Sequence, residues 1–170
     1  MLPEPLSHLT IRAANNDDLK PIVKLVFGVL REHELEPDPN STDADLQDIE
    51  SNYLKRGGLF EVIEDRDGNL LGSVGVYPID ENTCELRKMY FVPEIRGFGL
   101  GKYVLERAIN QAKELGFKQM VLETSSKLAA ANRLYARFGF QSISSDHLAS
   151  RADQAYGLDL NKVESTKQIG

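Results

Sequence analysis

The sequence contains one cysteine, no tryptophan, and no apolar run near the ~20 residues that a membrane-spanning helix requires. Its single cysteine, Cys84, cannot form a disulfide within the chain, so the cysteine content suits a reducing compartment. The opening stretch MLPEPLSHLTIRAANN has no basic segment followed by an apolar one, and a secretory signal is not expected. These absences predict a cytoplasmic protein without membrane contact.

Positive charge is also scarce. Lysine and arginine number 20 against 26 aspartates and glutamates, a net charge of −6 at pH 7. Because nucleic-acid binding requires a basic surface, no nucleic-acid partner is expected. The histidines His8, His33 and His147 lack the spacing of metal ligands, and no metal site is predicted. No histidine lies near Cys84 in the sequence, which favours a buried structural thiol over a nucleophile.

Hydrophobic periodicity predicts a mixed α/β (α+β) fold in one domain, residues 1–170, with residues 1–8 and 161–170 as loose termini. We expect about seven mostly antiparallel strands and about four helices in the order β-α-α-β-β-β-α-β-α-β-β. The first helix is capped by Asn16 or Asp17. The second is capped by Ser41 or Thr42, ends at Gly57, and carries on one face Leu46, Ile49, Tyr53 and Leu54. The predicted strands are 9–14, 59–65, 70–79, 84–92, 118–124, 140–144 and 155–160, and the last two helices end near Leu115 and at 138.

The connection between two of the predicted strands indicates that they are parallel. Strand 84–92 is followed by a helix and then by strand 118–124, which is a crossover connection. Such a connection joins parallel strands, and the two are therefore predicted to be parallel neighbours.

The segment RGFGLGKY, residues 96–103, lies between that strand and that helix. A phosphate-binding P-loop would need a glycine in place of Arg96 and a hydroxyl in place of Tyr103. A dinucleotide-binding loop would need a glycine in place of Lys102 and would follow the first strand of a domain. Both interpretations fail on these residues.

The remaining pattern is Arg96, Gly99 and Gly101 at Arg-x-x-Gly-x-Gly spacing. Glycines let the backbone approach a phosphate closely, and a helix N-terminus directs N–H groups and partial positive charge at an anion. A tight strand-to-helix turn that binds nothing is the alternative. Three glycines between Arg96 and Lys102 favour an anion site.

The stretch ELRKMYFVPEIRGFGLG resembles the acetyl-CoA-binding core of the GNAT superfamily of N-acyltransferases. Downstream, AAANRLYARFGF places Asn132 and Tyr135 three residues apart before a Gly-Phe pair, as similar sequences do. The resemblance runs from about Gly57 to Ser144. It implies the GNAT fold and acetyl-CoA as cosubstrate.

Carried over by position, the resemblance implies that the pyrophosphate of coenzyme A lies on the loop and the pantetheine arm along the preceding strand. An irregularity in that strand, often a bulge, is expected with it. The implied cofactor-binding residues are Met89, Phe91, Arg96, Gly97, Phe98, Gly99, Leu100, Gly101, Lys102 and Asn132.

The implied reaction is attack of a neutral amine on the acetyl thioester. Tyr135 is predicted to protonate the departing thiolate, although a core tyrosine would be the ordinary interpretation of this helix position. Glu85 is the candidate base; it could also be an ordinary strand charge paired with Arg87, and some similar enzymes use no dedicated base. The backbone N–H near Met89 could stabilise the oxyanion.

The leading hypothesis is an acetyl-CoA-dependent N-acetyltransferase of a small-molecule amine. A non-catalytic acyl-CoA-binding module and a protein N-acetyltransferase are the alternatives. Similar proteins are commonly dimeric, so a homodimer is a further expectation. The acidic run Glu32, Glu34, Glu36 and Asp38 favours a solvated loop, with steering of a cationic substrate as the alternative.

Overall fold

The computed structural model describes Leu2, Glu4 and residues 6–164 of the chain. Seven strands form one sheet in the spatial order β1-β2-β3-β4-β5-β7-β6, with α-helices packed against it. The strands are β1 (Thr10–Ala13), β2 (Leu59–Glu64), β3 (Leu70–Pro78), β4 (Thr83–Phe91), β5 (Gln119–Thr124), β6 (Gln141–Ser142) and β7 (Gln154–Asp159). The α-helices are α1 (Leu19–Glu32), α2 (Leu100–Glu114) and α3 (Ala129–Arg137).

The predicted strand count, the mostly antiparallel sheet and the parallel pair of strands are confirmed. Every pair is antiparallel except β4 with β5, which is parallel as the crossover connection requires. That parallel pairing is short. It runs from Thr83 opposite Gln119 to Glu85 opposite Val121, and no further pairs follow.

Helix α1 begins after a polar cap. Asn15 accepts a hydrogen bond from the N–H of Asp17, and the carboxylate of Asp18 accepts from the N–H of Asn15, a capping box around a single 3-10 turn. The cap therefore lies one residue before the predicted Asn16. The helix then buries one stripe of its surface, made of Ile22, Leu25, Val26, Val29 and Leu30.

The second predicted helix is not an α-helix. Its place is taken by a 3-10 helix, Ala44–Gln47, and a π-helical turn, Glu50–Leu54, which brings the helical elements to about four. The apolar positions that predicted it are still buried: Leu46, Ile49 and Tyr53 are at most 2% exposed. The burial was correctly predicted, but the backbone forms two short helical turns instead of one regular helix.

The two faces of the sheet carry separate apolar cores. Alternate residues of a strand point to opposite faces, and in β2 Phe60 and Val62 pack with α1 and the π-helical turn. Ile63 packs in the other core, with α2 and α3. Two layers of helical structure therefore enclose one sheet.

The predicted loose start, residues 1–8, includes two residues that are buried. Leu2 and Leu6 are buried in the core that contains α2, and Leu6–His8 forms a 3-10 turn. At the other end, Leu160 is fully buried, whereas residues 165–170 lie outside the described part of the chain. In the described part, no helix is long and apolar enough to cross a bilayer.

Candidate functional site

A cleft of about 690 Å³ opens where β4 and β5 cease to pair, and we call it the central cleft. Four stretches of chain line it: residues 38–45, 85–90, 123–128 and 147–152. Tyr135 of α3 reaches it as well. Of the residues predicted from the sequence, Glu85, Met89 and Tyr135 line this cleft together, and Phe91, Asn132 and residues 96–102 are not part of its lining.

The wall formed by β4 contains the predicted irregularity. Ser73 pairs with Tyr90 and Gly75 with Arg87, so two residues of β4, Lys88 and Met89, lie opposite one residue of β3. Lys88 has φ +54°, a conformation that costs a non-glycine residue of order 1–3 kcal/mol. The hydroxyl of Ser73 donates to the carbonyl of Lys88 at 2.7 Å and holds the bulge.

The bulge places Lys88 in a buried cluster of charges. Its Nζ lies 3.1 Å from Oδ1 of Asp43 and 3.2 Å from Oδ1 of Asp45. Arg151 donates two hydrogen bonds of 2.7 Å to Asp43 from the opposite side. Burial raises the pKa of Asp43, but the hydrogen bonds from Arg151 and the charge of Lys88 outweigh it, and the net pKa is lowered. These pairs join residues 38–45 to β4 and to residues 147–152.

A tyrosine completes the cluster. The hydroxyl of Tyr53 donates to Asp45. Burial, followed by the negative charge of Asp45, raises the pKa of Tyr53 well above its ordinary value, so this hydroxyl remains a donor. The sequence predicted Tyr53 only as an apolar position of a helix.

Glu85 is paired with Arg87, as expected if it were an ordinary charge on the strand and not a base. Nε of Arg87 donates to Glu85, and the Arg87 guanidinium lies 3.7 Å from the centre of the Tyr77 ring. A second carboxylate of the central cleft, Glu123 on β5, was missed from the sequence. Burial and the charge of Glu85 raise its pKa. A carboxylate inside the apolar strand KQMVLET was the available signal, because glutamate is depleted in strands.

Tyr135 combines burial with access to the cleft. It is 7% exposed, and its ring packs against Phe140 with centroids 5.7 Å apart. Burial, with a smaller contribution from Tyr90, raises its pKa above the ordinary value of 10. The hydroxyl is therefore protonated at neutral pH and can act as a proton donor.

Asn132, on the same helix, is held by the connection before it. The hydroxyl of Thr124 donates to its Oδ1 at 2.8 Å, and its Nδ2 donates to the carbonyl of Ser125 at 2.9 Å. Its side chain therefore anchors α3 to the end of β5. This contact positions Tyr135, one helical turn further on.

The glycine loop, residues 96–102, leads directly into α2. Gly97 and Gly99 have φ values of +85° and +80°, and a Cβ at either would meet no atom within 4 Å. Gly99 precedes the helix and has no side chain that could cap its first N–H groups. Both glycines thus leave backbone N–H groups and open space for an anion.

A glycine is needed at position 101 for helix packing and not for space beside an anion. A Cβ there would lie 3.3 Å from Cδ2 of Leu134, so α2 and α3 approach closely at this point. Leu100 is 2% exposed and its side chain lies in the core, which leaves only its backbone for a ligand. Phe98 and Lys102 are exposed.

Arg96 does not present a free charge to the loop. Its Nε and Nη2 donate to the carbonyl of Phe91 at 2.8 and 2.6 Å, and the guanidinium pairs with Glu32 through both terminal nitrogens. Arg96 therefore clamps the loop to the end of α1 and to the end of β4. It also occupies the Phe91 carbonyl, one of the backbone groups expected to contact a ligand. Glu32, of the predicted solvated acidic run, is the partner in this clamp.

Cys84 is fully buried, and burial raises its pKa to about 12. A thiol in this state is not a nucleophile at neutral pH. In residues 2, 4 and 6–164, no group of three or more histidine, cysteine or acidic side chains is placed to hold a metal.

Comparison with known proteins agrees with this geometry. Residues 27–140 match the Acetyltransferase (GNAT) family. The chain is 36% identical over 138 residues to the uncharacterized N-acetyltransferase YjgM of Escherichia coli (strain K12), covering 78% of this chain and 82% of that protein.

Solved structures share the fold. An acetyltransferase of the GNAT family from Staphylococcus aureus Mu50 superimposes with a TM-score of 0.82 at 25% identity, over 89% of this chain and 99% of that one. The putative acetyltransferase yncA of Salmonella typhimurium, solved with its cofactor acetyl-CoA, superimposes with a TM-score of 0.71 at 22% identity, over 96% of this chain and 100% of that one. The chain therefore belongs to the GNAT acetyltransferase family and is an acetyl-transferring enzyme.

Proposed function

We propose that the enzyme transfers the acetyl group of acetyl-CoA to the primary amine of a small molecule, the acceptor, by direct attack within a ternary complex. The observation that carries this proposal is the central cleft. It opens at the separation of β4 and β5, holds the buried hydroxyl of Tyr135, and carries unbalanced negative charge.

The glycine loop fits the pyrophosphate of coenzyme A. Gly97 and Gly99 leave open space beside the backbone, and the uncapped N-terminus of α2 supplies N–H groups. Lys102 is exposed and free to add a positive charge, whereas Arg96 acts by shaping the loop. Acetyl-CoA bound to the same fold in the Salmonella protein supports this choice of cosubstrate. Acetyl-CoA supplies the activated acyl group and the thiolate leaving group.

The central cleft suits a cationic amine. Its lining includes four carboxylates, Asp38, Asp45, Glu85 and Glu123, against three permanent cations, Arg87, Lys88 and Arg151. The cations are paired within the protein: Lys88 with two aspartates, Arg151 with Asp43, and Arg87 with Glu85. An alkylammonium therefore meets net negative charge at this surface.

The chain's residues divide the chemistry between them. A carboxylate of the central cleft accepts the proton of the acceptor ammonium; Glu85 is the one that the sequence predicts. Tyr135 donates a proton to the departing sulfur, and its raised pKa keeps that proton available. The bulged backbone at Met89 offers an N–H to the oxyanion.

Two assays test the proposal. Calorimetric titration with acetyl-CoA should show binding, and a panel of amines including spermidine, free amino acids and a lysine-containing peptide should be assayed by thiol release. We expect intersecting initial-rate lines for a small amine, as a ternary complex requires. Turnover of the peptide alone would instead favour a protein acetyltransferase, and binding without turnover of any acceptor would overturn the proposed reaction.

Tyr135→Phe tests the donor. We expect kcat to fall by about 10²–10⁴ with acetyl-CoA affinity unchanged, because only the proton is removed. Tyr156→Phe is the matched control, since the Tyr156 hydroxyl donates to Gln154 on β7 and Tyr156 is not part of the cleft lining. An unchanged kcat in Tyr135→Phe would remove Tyr135 from the mechanism.

A further inference from the structure

Two carboxylates of the central cleft sit on either side of the strand separation. Glu85 is the last residue of β4 that pairs with β5, opposite Val121. Glu123 lies two residues beyond Val121 on β5, on the same face of that strand, because alternate side chains share a face. It therefore reaches the cleft just past the point where the two strands separate, which is where a substrate can enter between them.

The acids of the cleft differ in their partners. Glu85 is bonded to Arg87, Asp45 to Lys88 and Tyr53, and Asp38 accepts from the N–H and hydroxyl of Thr42. Among the ion pairs of residues 2, 4 and 6–164, none includes Glu123. Within the described part of the chain, its carboxylate accepts a single, long hydrogen bond, 3.3 Å from the backbone N–H of Ala149.

We propose that Glu123, rather than Glu85, is the general base that takes the proton from the acceptor ammonium. The inference rests on the proposed function and names the residue that starts its chemistry. Glu85 already forms an ion pair with Arg87. Its negative charge acts on Glu123, and Glu85 is therefore a positioning residue.

The electrostatic surroundings of Glu123 support this role. Burial and the charge of Glu85 on β4 raise its pKa, while the N–H of Ala149 and the charges of Arg87 and Arg151 oppose that shift without cancelling it. His147, of the lining stretch 147–152, also faces this space. A pKa raised toward neutrality makes a carboxylate a better base, as long as it remains ionised at the working pH.

The proposed steps balance. One proton passes from the ammonium to Glu123 and from there to solvent at the cleft mouth. The neutral nitrogen then forms a bond to the thioester carbonyl carbon, and the carbon–sulfur bond breaks. Tyr135 gives its proton to the sulfur, and the protonated amide nitrogen returns its extra proton to Tyr135. The products are the acetamide, the thiol of coenzyme A and one proton in solvent.

A purely structural role makes a different prediction. Glu123 could serve only to hold the loop at Ala149, and Glu123→Gln keeps an oxygen that accepts this hydrogen bond. A structural glutamate would therefore tolerate glutamine but not alanine. A general base would tolerate neither.

The test compares Glu123→Gln, Glu123→Ala and Glu85→Gln with the wild type, using the best acceptor of the amine panel between pH 6 and 10. We expect Glu123→Gln to lose about 10²–10⁴ in kcat/KM at pH 7, a loss that shrinks as rising pH deprotonates the amine itself. Glu85→Gln should lose less at pH 7 and shift the acidic limb of the profile downward in pH, because a negative charge near Glu123 is gone.

Each other outcome overturns the inference. A Glu123→Gln variant as active as the wild type, or one whose loss is the same at every pH, removes Glu123 as the base. So does a Glu85→Gln variant with the larger, pH-dependent loss. A calorimetric titration of each variant with acetyl-CoA checks that the fold and the cosubstrate site remain. A wild type that acetylates no amine would fail the proposed function instead, and the two failures are therefore distinguishable.

Discussion

The glycine loop and the central cleft differ in how their residues are distributed along the chain. The loop is one continuous stretch, residues 96–102, whose shape depends on local backbone conformation. The central cleft is assembled from four separated stretches between residues 38 and 152. A continuous backbone site leaves a motif in the sequence, whereas a cleft held by side-chain pairs between distant segments leaves isolated charges. The two regions should therefore respond differently to substitution.

The largest expected effect is in the cleft. Lys88→Met keeps the aliphatic stem but removes the cation between Asp43 and Asp45, which are both buried. Breaking a buried ion pair in this way typically costs about 3–5 kcal/mol. We expect a loss of that size in the free energy of unfolding, measured by urea denaturation at pH 7.

Lys118→Met, at an exposed lysine, is the matched control and should stay within about 0.5 kcal/mol of the wild type. A loss below about 1 kcal/mol in Lys88→Met would mean that the charged cluster does not hold the cleft together, in conflict with the usual cost of a broken buried pair.

A smaller effect is expected in the loop. Gly99→Ala forces a non-glycine residue to adopt φ +80°, at a cost of about 1–2 kcal/mol. We expect the KM for acetyl-CoA to rise because the first N–H groups of α2 shift, while the KM for the acceptor stays near its original value. Gly28→Ala is the control, and it should raise the free energy of unfolding by about 0.4–1 kcal/mol. Gly28 lies exposed within α1, and a Cβ there would meet no atom within 4 Å. If Gly99→Ala changed the KM for acetyl-CoA and the KM for the acceptor equally, the glycine loop and the central cleft would not have separate roles.

The ion pair between Glu32 and Arg96 should contribute less to the free energy of unfolding than the change at Gly99 costs. Both side chains are about one-third exposed, and pairs of this kind contribute about 0.2–1 kcal/mol. A double-mutant cycle of Glu32→Gln and Arg96→Gln should measure that coupling. Because Arg96 lowers the pKa of Glu32 below its ordinary 4.5, the coupling is present at neutral pH and is lost as the pH falls through the lowered value. A coupling that persists at a pH low enough to protonate Glu32 would contradict this assignment.

The smallest effect is expected at Cys84. Its buried thiol, with a pKa near 12, should not react with Ellman's reagent in the native protein at pH 8. One equivalent should react in denaturant. Rapid native labelling together with loss of activity would mean that the thiol is reachable and takes part in the chemistry.

Particular residues explain how far sequence reasoning reached. Gly97 and Gly99 were found because only glycine adopts their φ values cheaply, and the parallel pairing of β4 and β5 followed from chain connectivity. The second helix was wrongly predicted to be an α-helix. The periodicity of Leu46, Ile49 and Tyr53 indicates which side chains are buried, and it does not indicate how the backbone is hydrogen-bonded. Arg96 was expected to offer its charge to a ligand. Its partner Glu32 is 64 residues away, a distance no local pattern spans.

The sequence by itself predicted the strands in chain order, most of the helices, the parallel pairing of β4 with β5 and the family, because these depend on local periodicity, turn residues, chain connectivity and a continuous motif. Through a resemblance it also predicted Glu85 and Tyr135 as catalytic residues, and both line the central cleft. Only the tertiary structure decided which charges neutralise one another. Asp43, Lys88 and Arg151 meet through a bulge and two loops, and Glu123 remains a cleft carboxylate that forms no ion pair with any described residue. Electrostatic pairing depends on distances of 3–4 Å between residues far apart in the chain, and those distances exist only once the sheet is assembled.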